Sequence, residues 1–71
     1  MKDNEYLILI GKNISRIRKE QLITIKELGF RCDIEKSNLI PIEKGRVNVT
    51  IKTLVKICNA LDIELKDLIN S

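Results

Sequence analysis

The chain has 71 residues, enough for one small core and too few for a second lobe that would close a cleft, where most enzymes build their sites. Thirteen Lys and Arg against ten Asp and Glu leave a net charge of +3, and 44% of the residues are hydrophobic, which describes a globular domain rather than a disordered one. There is no His, which excludes imidazole catalysis and histidine metal ligation; Cys32 and Cys58 match neither zinc nor Cys-x-x-Cys spacing, and no run is apolar for long enough to cross a bilayer.

Leu7, Ile10, Ile14 and Ile17 recur at steps of three and four, with Lys12, Arg16 and Lys19 on the other side, which predicts a helix from about residue 5 to about 20, weakened modestly by Gly11. Thr24 followed by Glu27 reads as a capping box that opens a short second helix at Ile25, ending near Arg31 or Cys32. Asp33 and Ile34 form a turn, and Glu35 or Asp33 caps a third helix from about Lys36 to Lys44. Gly45 is its expected left-handed stop. After a loop, Thr50 or Asn48 caps a fourth helix from about Ile51 to Leu61, with Ile51, Leu54, Ile57 (beside Cys58) and Leu61 inward and Lys52, Lys56 and Asn59 outward. Glu64 to Ile69 makes a last short helix. Only a fragment near Val47–Ile51 alternates with period two. The expectation is an all-α, single compact domain over residues 1–71, five short helices around an aliphatic core of Ile14, Ile17, Leu28, Ile34, Leu39, Ile42, Leu54, Ile57, Leu61 and Leu68.

Charge is unevenly spread. Residues 12–56 hold eleven Lys or Arg and five acids, while both ends are mildly acidic. A basic centre suits a polyanion, but with Tyr6 and Phe30 the only aromatics the chain lacks the stacking platforms of single-strand binders. The absence of a leader pattern points to a cytoplasmic setting with reduced thiols, so both cysteines read as small, partly buried apolar residues.

The informative segment is TIKELGFRCDIEKSNLIPIEKG, residues 24–45: short helix, tight turn, second helix, glycine stop. I-x-R-I-R-K stands before it at residues 14–19, and R-x-N-x-T-I-K-T-L and K-I-C-N-A-L-D-I after it at 46–54 and 56–63. In this order and spacing the blocks resemble the phage-repressor (Cro-like, XRE-type) helix-turn-helix family over about residues 12–69, a lambda-repressor-like fold. The resemblance implies a sequence-specific transcriptional regulator, a repressor of bacterial, phage or mobile-element origin, that binds double-stranded DNA. Its third helix, about residues 36–44, would enter the major groove, where base edges present distinct donors, acceptors and methyl groups. Lys36, Ser37 and Asn38 would then face base edges, with Ile40 at the margin. Thr24, Lys26, Lys44, Arg46, Asn48, Lys52 and Thr53 would hold phosphates. Arg18 and Glu43 occupy the family positions of a structural ion pair between the first and third helices. No cofactor, metal, membrane or small-molecule ligand is implied.

Several residues depart from the family pattern. Pro41 falls inside the third helix, so that helix either starts late, near Asn38, or is kinked. Ile25 stands where a phosphate-binding Gln is usual, Gly29 where Ala is usual, and Asp33 and Leu22 where Gly is usual. One recognition helix reads few base pairs, so a homodimer on a palindromic operator is expected. Tyr6-Leu7-Ile8-Leu9-Ile10 or the set Ile63, Leu65, Leu68 and Ile69 offers an interface, unless the first helix simply lies on the last within one chain. The alternative to a regulator is an antitoxin-like or adaptor module that binds protein after losing base readout, kept open by Pro41 and Ile25.

Overall fold

The computed structural model describes residues 2–70 and contains five helices: α1 (Asp3–Glu20), α2 (Ile25–Cys32), α3 (Lys36–Glu43), α4 (Ile51–Leu61) and α5 (Lys66–Ile69). α1 is the long brace, touching α3, α4 and α5, and α2 packs on α3 and α4. Ile14, Leu28, Leu39, Ile57, Leu61 and Leu68 are fully enclosed, one or two from each helix, so every element contributes to one core. Burying each such side chain is worth about 1.5–3 kcal/mol, which offsets the low stability of helices this short on their own.

The helix ends follow local chemistry. Thr24 Oγ1 accepts from the Glu27 amide and Thr50 Oγ1 from the Thr53 amide, both at 3.1 Å. The return arm of the capping box is not made: the Glu27 carboxylate accepts from Arg31 instead, at 3.2 Å. α3 starts at Lys36, with Glu35 in the cap position but its side chain making no capping bond. Asp33 is the C-cap of α2, in the left-handed region at φ 57°, a conformation Asp tolerates better than most residues. Leu22 (φ 60°) and Gly45 (φ 69°) take the same conformation after α1 and α3.

Other expectations need correction. α3 does not begin near Asn38; it keeps its first turn and carries Pro41 within it. Ile51 is 62% exposed rather than inward, because it is the first residue of α4 and the inner stripe begins a turn later, at Leu54. Ile34 sits at the rim of the core, half-buried, and Ile23 takes an unforeseen place inside it. The last helix begins at Lys66, since the Glu64 amide donates to the Asp67 carboxylate at 2.9 Å and closes a turn ahead of it. The period-two fragment is no strand: Val49 turns toward the core while Val47 and Ile51 turn out.

Two glycines are set by neighbours far along the chain. A Cβ on Gly11 would lie 2.5 Å from the carbonyl oxygens of both Ile42 and Glu43, so α1 passes directly over the end of α3. A Cβ on Gly29 would meet the Ile34 carbonyl at 2.5 Å, which makes Gly, not Ala, the residue that fits this turn. Asn13, buried in α1, donates to the carbonyls of Leu68 and Asn70 at 2.8 and 3.1 Å and fastens the C-terminal end of the described chain to the brace.

Candidate nucleic-acid interface

α3 is held by an ion pair at its C-terminal end. Arg18 Nε and Nη2 donate to Glu43 Oε2 and Oε1 at 2.8 and 3.1 Å, and Arg18 Nη1 donates to the Ile23 carbonyl at 2.9 Å. The two side chains are only 11% and 8% exposed, so the fork is largely withdrawn from water. This contact and the α1 backbone over Ile42 and Glu43 join α3 to α1 rigidly, which fixes the direction in which the free face of α3 points.

That free face begins with Lys36, Ser37 and Asn38, all exposed in the first turn; Ile40 follows, half-buried. At about 100° per residue, buried Leu39 and Ile42 define the inward side, Ser37 lies opposite them, and Lys36 and Asn38 lie on the two margins. The residues expected on phosphates flank this face. Thr24 and Lys26 are exposed at the start of α2, and Lys44, Arg46 and Asn48 are exposed between α3 and α4. Lys52 is exposed in the first turn of α4, whereas Thr53 is half-buried and its Oγ1 accepts from Thr50 Oγ1 at 3.0 Å, leaving its own hydroxyl hydrogen free to donate. α2, α3 and α4 begin at Ile25, Lys36 and Ile51, so three helix N-termini lie close to these side chains in the chain, each presenting amides suited to an anion.

The pattern of ion pairing separates the basic residues into two groups. Among the described residues the pairs are Arg16–Glu20, Arg18–Glu43, Arg31–Glu27 and Lys66–Glu64. Lys2, Lys12, Lys19, Lys26, Lys36, Lys44, Arg46, Lys52 and Lys56 belong to none of them. A cation without an internal carboxylate gives up no bond when it meets a phosphate, and five of these nine, Lys26, Lys36, Lys44, Arg46 and Lys52, lie on α3, just after it, or in the first turns of α2 and α4.

Ile25 is half-buried and packs on the core edge; it and Ile40 line a shallow groove between α1 and α3, with Ser15, Lys19 and Lys44 around it. Lys19 was not foreseen beside the site. Its helical face was legible, but only the crossing of α1 over α3 brings it next to Lys44.

Comparison with known proteins gives a consistent picture. The helix-turn-helix family profile matches residues 14–68. The chain is 31% identical over 68 residues to control protein C.BamHI of Bacillus amyloliquefaciens, covering 94% of this chain and 84% of that one. It is 32% identical over 60 residues to the immunity repressor protein of Bacillus phage phi105, covering 84% of this chain and 42% of the phage protein. Among solved structures, the restriction-modification controller protein C.AhdI from Aeromonas hydrophila superposes with a TM-score of 0.84 at 27% identity, covering 87% of this chain and 94% of that one.

Proposed function

The chain belongs to the helix-turn-helix family of DNA-binding transcriptional regulators, and from that membership we propose that it is a sequence-specific repressor whose α3 reads the major groove. The observation that carries the reading is that Lys26, Lys36, Lys44, Arg46 and Lys52, on α3 or near it in the chain, are exposed and belong to none of the ion pairs among the described residues. Lys36, Ser37 and Asn38 are the polar base-edge readers: a lysine donates to guanine O6 or N7, and a properly turned Asn pairs with adenine. Ile40 lies at the margin of this face. Thr24, Lys26, Lys44, Arg46, Asn48, Lys52 and Thr53 hold phosphates on both sides, and Arg18 with Glu43 sets the tilt of the helix. The name of the phage relative, an immunity repressor, supports repression by occupying a site. The cytoplasm is the setting this function requires.

The protein acts as a homodimer on a palindrome. Of the two surfaces weighed from the sequence, the C-terminal one is spent within the chain: Leu68 is fully buried and Ile63 and Leu65 pack against the core, leaving Ile69 alone exposed. Tyr6 and Ile8 are exposed on α1. A longer exposed line runs through Val47, Ile51 and Val55, four residues apart, leading from the loop that carries Arg46 onto α4. A second copy covers these residues.

Selection of the protein against a random duplex library at two salt concentrations tests the proposal. An enriched palindrome, bound about 10³-fold or more above nonspecific DNA, is the expected result. Lys36→Ala should relax preference at one position, and Lys52→Ala should weaken all DNA alike and flatten the salt dependence by about one ion. Binding without any enriched motif, or no binding by folded protein at low salt, would sink the reading and favour a protein-binding module.

A further inference from the structure

The face of α3 turned away from the core is not uniformly polar. Opposite buried Leu39 and Ile42 the helix presents Ser37, Pro41 and Lys44, with Ile40 beside them. Between Ser37 and Lys44, which point most directly outward, the surface is hydrocarbon: Ile40 and Pro41 are consecutive, lie to either side of that line, are both half-buried, and neither side chain carries a donor or an acceptor. Ile40 continues this surface across the shallow groove to Ile25, at the first position of α2. Pro41 has no amide hydrogen to give, so α3 forgoes one backbone hydrogen bond at this position.

We propose that Pro41 and Ile40, backed by Ile25, form the specificity element of this protein, and that what they read is the C5 methyl group of thymine. The inference rests on α3 being the helix that enters the groove. In the major groove a thymine offers an oxygen acceptor and a methyl group, and a cytosine offers an amino donor and no methyl. An aliphatic surface cannot sort donors from acceptors. It gains by covering a methyl, and it loses by pressing hydrocarbon on an amino group that then lacks a partner. The patch thus selects thymine over cytosine where it touches down, while Lys36 and Ser37, a turn earlier, read hydrogen-bonding edges nearby. Pro41, which as a sequence anomaly threatened base readout, changes the kind of readout rather than removing it.

Deoxyuridine substitution isolates this contact, because it removes the methyl and leaves every hydrogen-bonding group in place. In the selected operator, each thymine is replaced in turn and binding is measured by fluorescence anisotropy. Affinity should fall about three- to fivefold at one or two positions of each half-site, the value of one buried methyl. Elsewhere it should not change. Pro41→Ser, which restores the amide and removes the ring, and Ile40→Gln should each bind the thymine and uracil operators nearly equally; thermal melts confirm that both are folded, Pro41→Ser melting higher than the parent. If the unmodified protein selects a motif yet binds the uracil operators as tightly at every position, the methyl-reading inference is overturned and the DNA-reading proposal stands. If no motif is selected, both fall.

Discussion

Arg18 ties three segments with one side chain: α1, which carries it, the Glu43 carboxylate on α3, and the Ile23 carbonyl before α2. Because the pair is nearly dry, removing one partner leaves an uncompensated charge rather than a lost surface contact. Glu43→Ala should lower stability by about 3 kcal/mol in urea titrations. The double variant Arg18→Met with Glu43→Leu should recover much of that loss, and a loss no larger than about 1 kcal/mol in the single variant would mean that water screens the pair after all. The cysteines behave differently. Burial pushes both thiols above their ordinary value of 9.0, for Cys58 with help from Asp67. A folded-state value raised above the unfolded one contributes stability that is complete below the unfolded value and fades as pH rises through the folded one. The urea midpoint should therefore be insensitive to these thiols up to about pH 8 and fall above pH 9.0, and replacing both Cys32 and Cys58 by Ala should reduce that alkaline fall.

For the helices, Gly11 and Thr24 oppose simple propensity in opposite ways. In the middle of a helix Gly→Ala normally stabilises by about 1 kcal/mol. Here the added methyl would meet two backbone carbonyls of α3 at 2.5 Å, and backbone cannot swing aside as a side chain can. Gly11→Ala should instead destabilise, by about 2 kcal/mol or more, and loosen specific DNA binding by shifting α3; a higher melting temperature would show that α1 does not press on α3. Thr24→Ala removes the single side-chain cap of α2 and should cost about 1 kcal/mol. The caps and left-handed stops were legible because they depend on residues within four positions of one another, as with Thr24 and Glu27, Thr50 and Thr53, Asp33 and Gly45. Ile51 was misplaced for the same reason in reverse: helical spacing assigns it to the inner stripe, but the first residue of a helix points where the preceding loop sends it.

Over the whole molecule the ion pairs take up only four of the described cations. Among the described residues Arg16, Arg18, Arg31 and Lys66 are paired with carboxylates, and Lys26, Lys36, Lys44, Arg46 and Lys52 are five of the nine cations that are not. Arg16–Glu20 and Arg31–Glu27 are four positions apart and legible in the residue order, whereas Arg18 and Glu43, 25 positions apart, come together only when α1 crosses α3 and were expected from the family resemblance alone. The exposed line of Val47, Ile51 and Val55 is likewise a product of how the loop meets α4. Ile51→Glu should leave the melting temperature of the monomer nearly unchanged, convert the dimer to monomer in sedimentation equilibrium, and weaken operator binding at least tenfold, since each half-site is then bound alone. A dimer that survives Ile51→Glu would move the interface to Tyr6 and Ile8 on α1.

Periodicity, caps and turn residues were enough to read five helices, their order, most of the core and the basic centre, because each of those properties is written in near neighbours. Folding added contacts between residues distant in the chain, Gly11 against the end of α3 and Asn13 on the carbonyls of Leu68 and Asn70, and gave the Arg18–Glu43 pair, expected from the family resemblance, its forked geometry. Those contacts settle which side of α3 is free, and so turn a run of candidate residues into a face with Ser37 and Lys44 outermost and hydrocarbon from Ile40 and Pro41 between them. A side chain's identity is local, but its direction and its partners depend on the packing of whole helices, and binding depends on those.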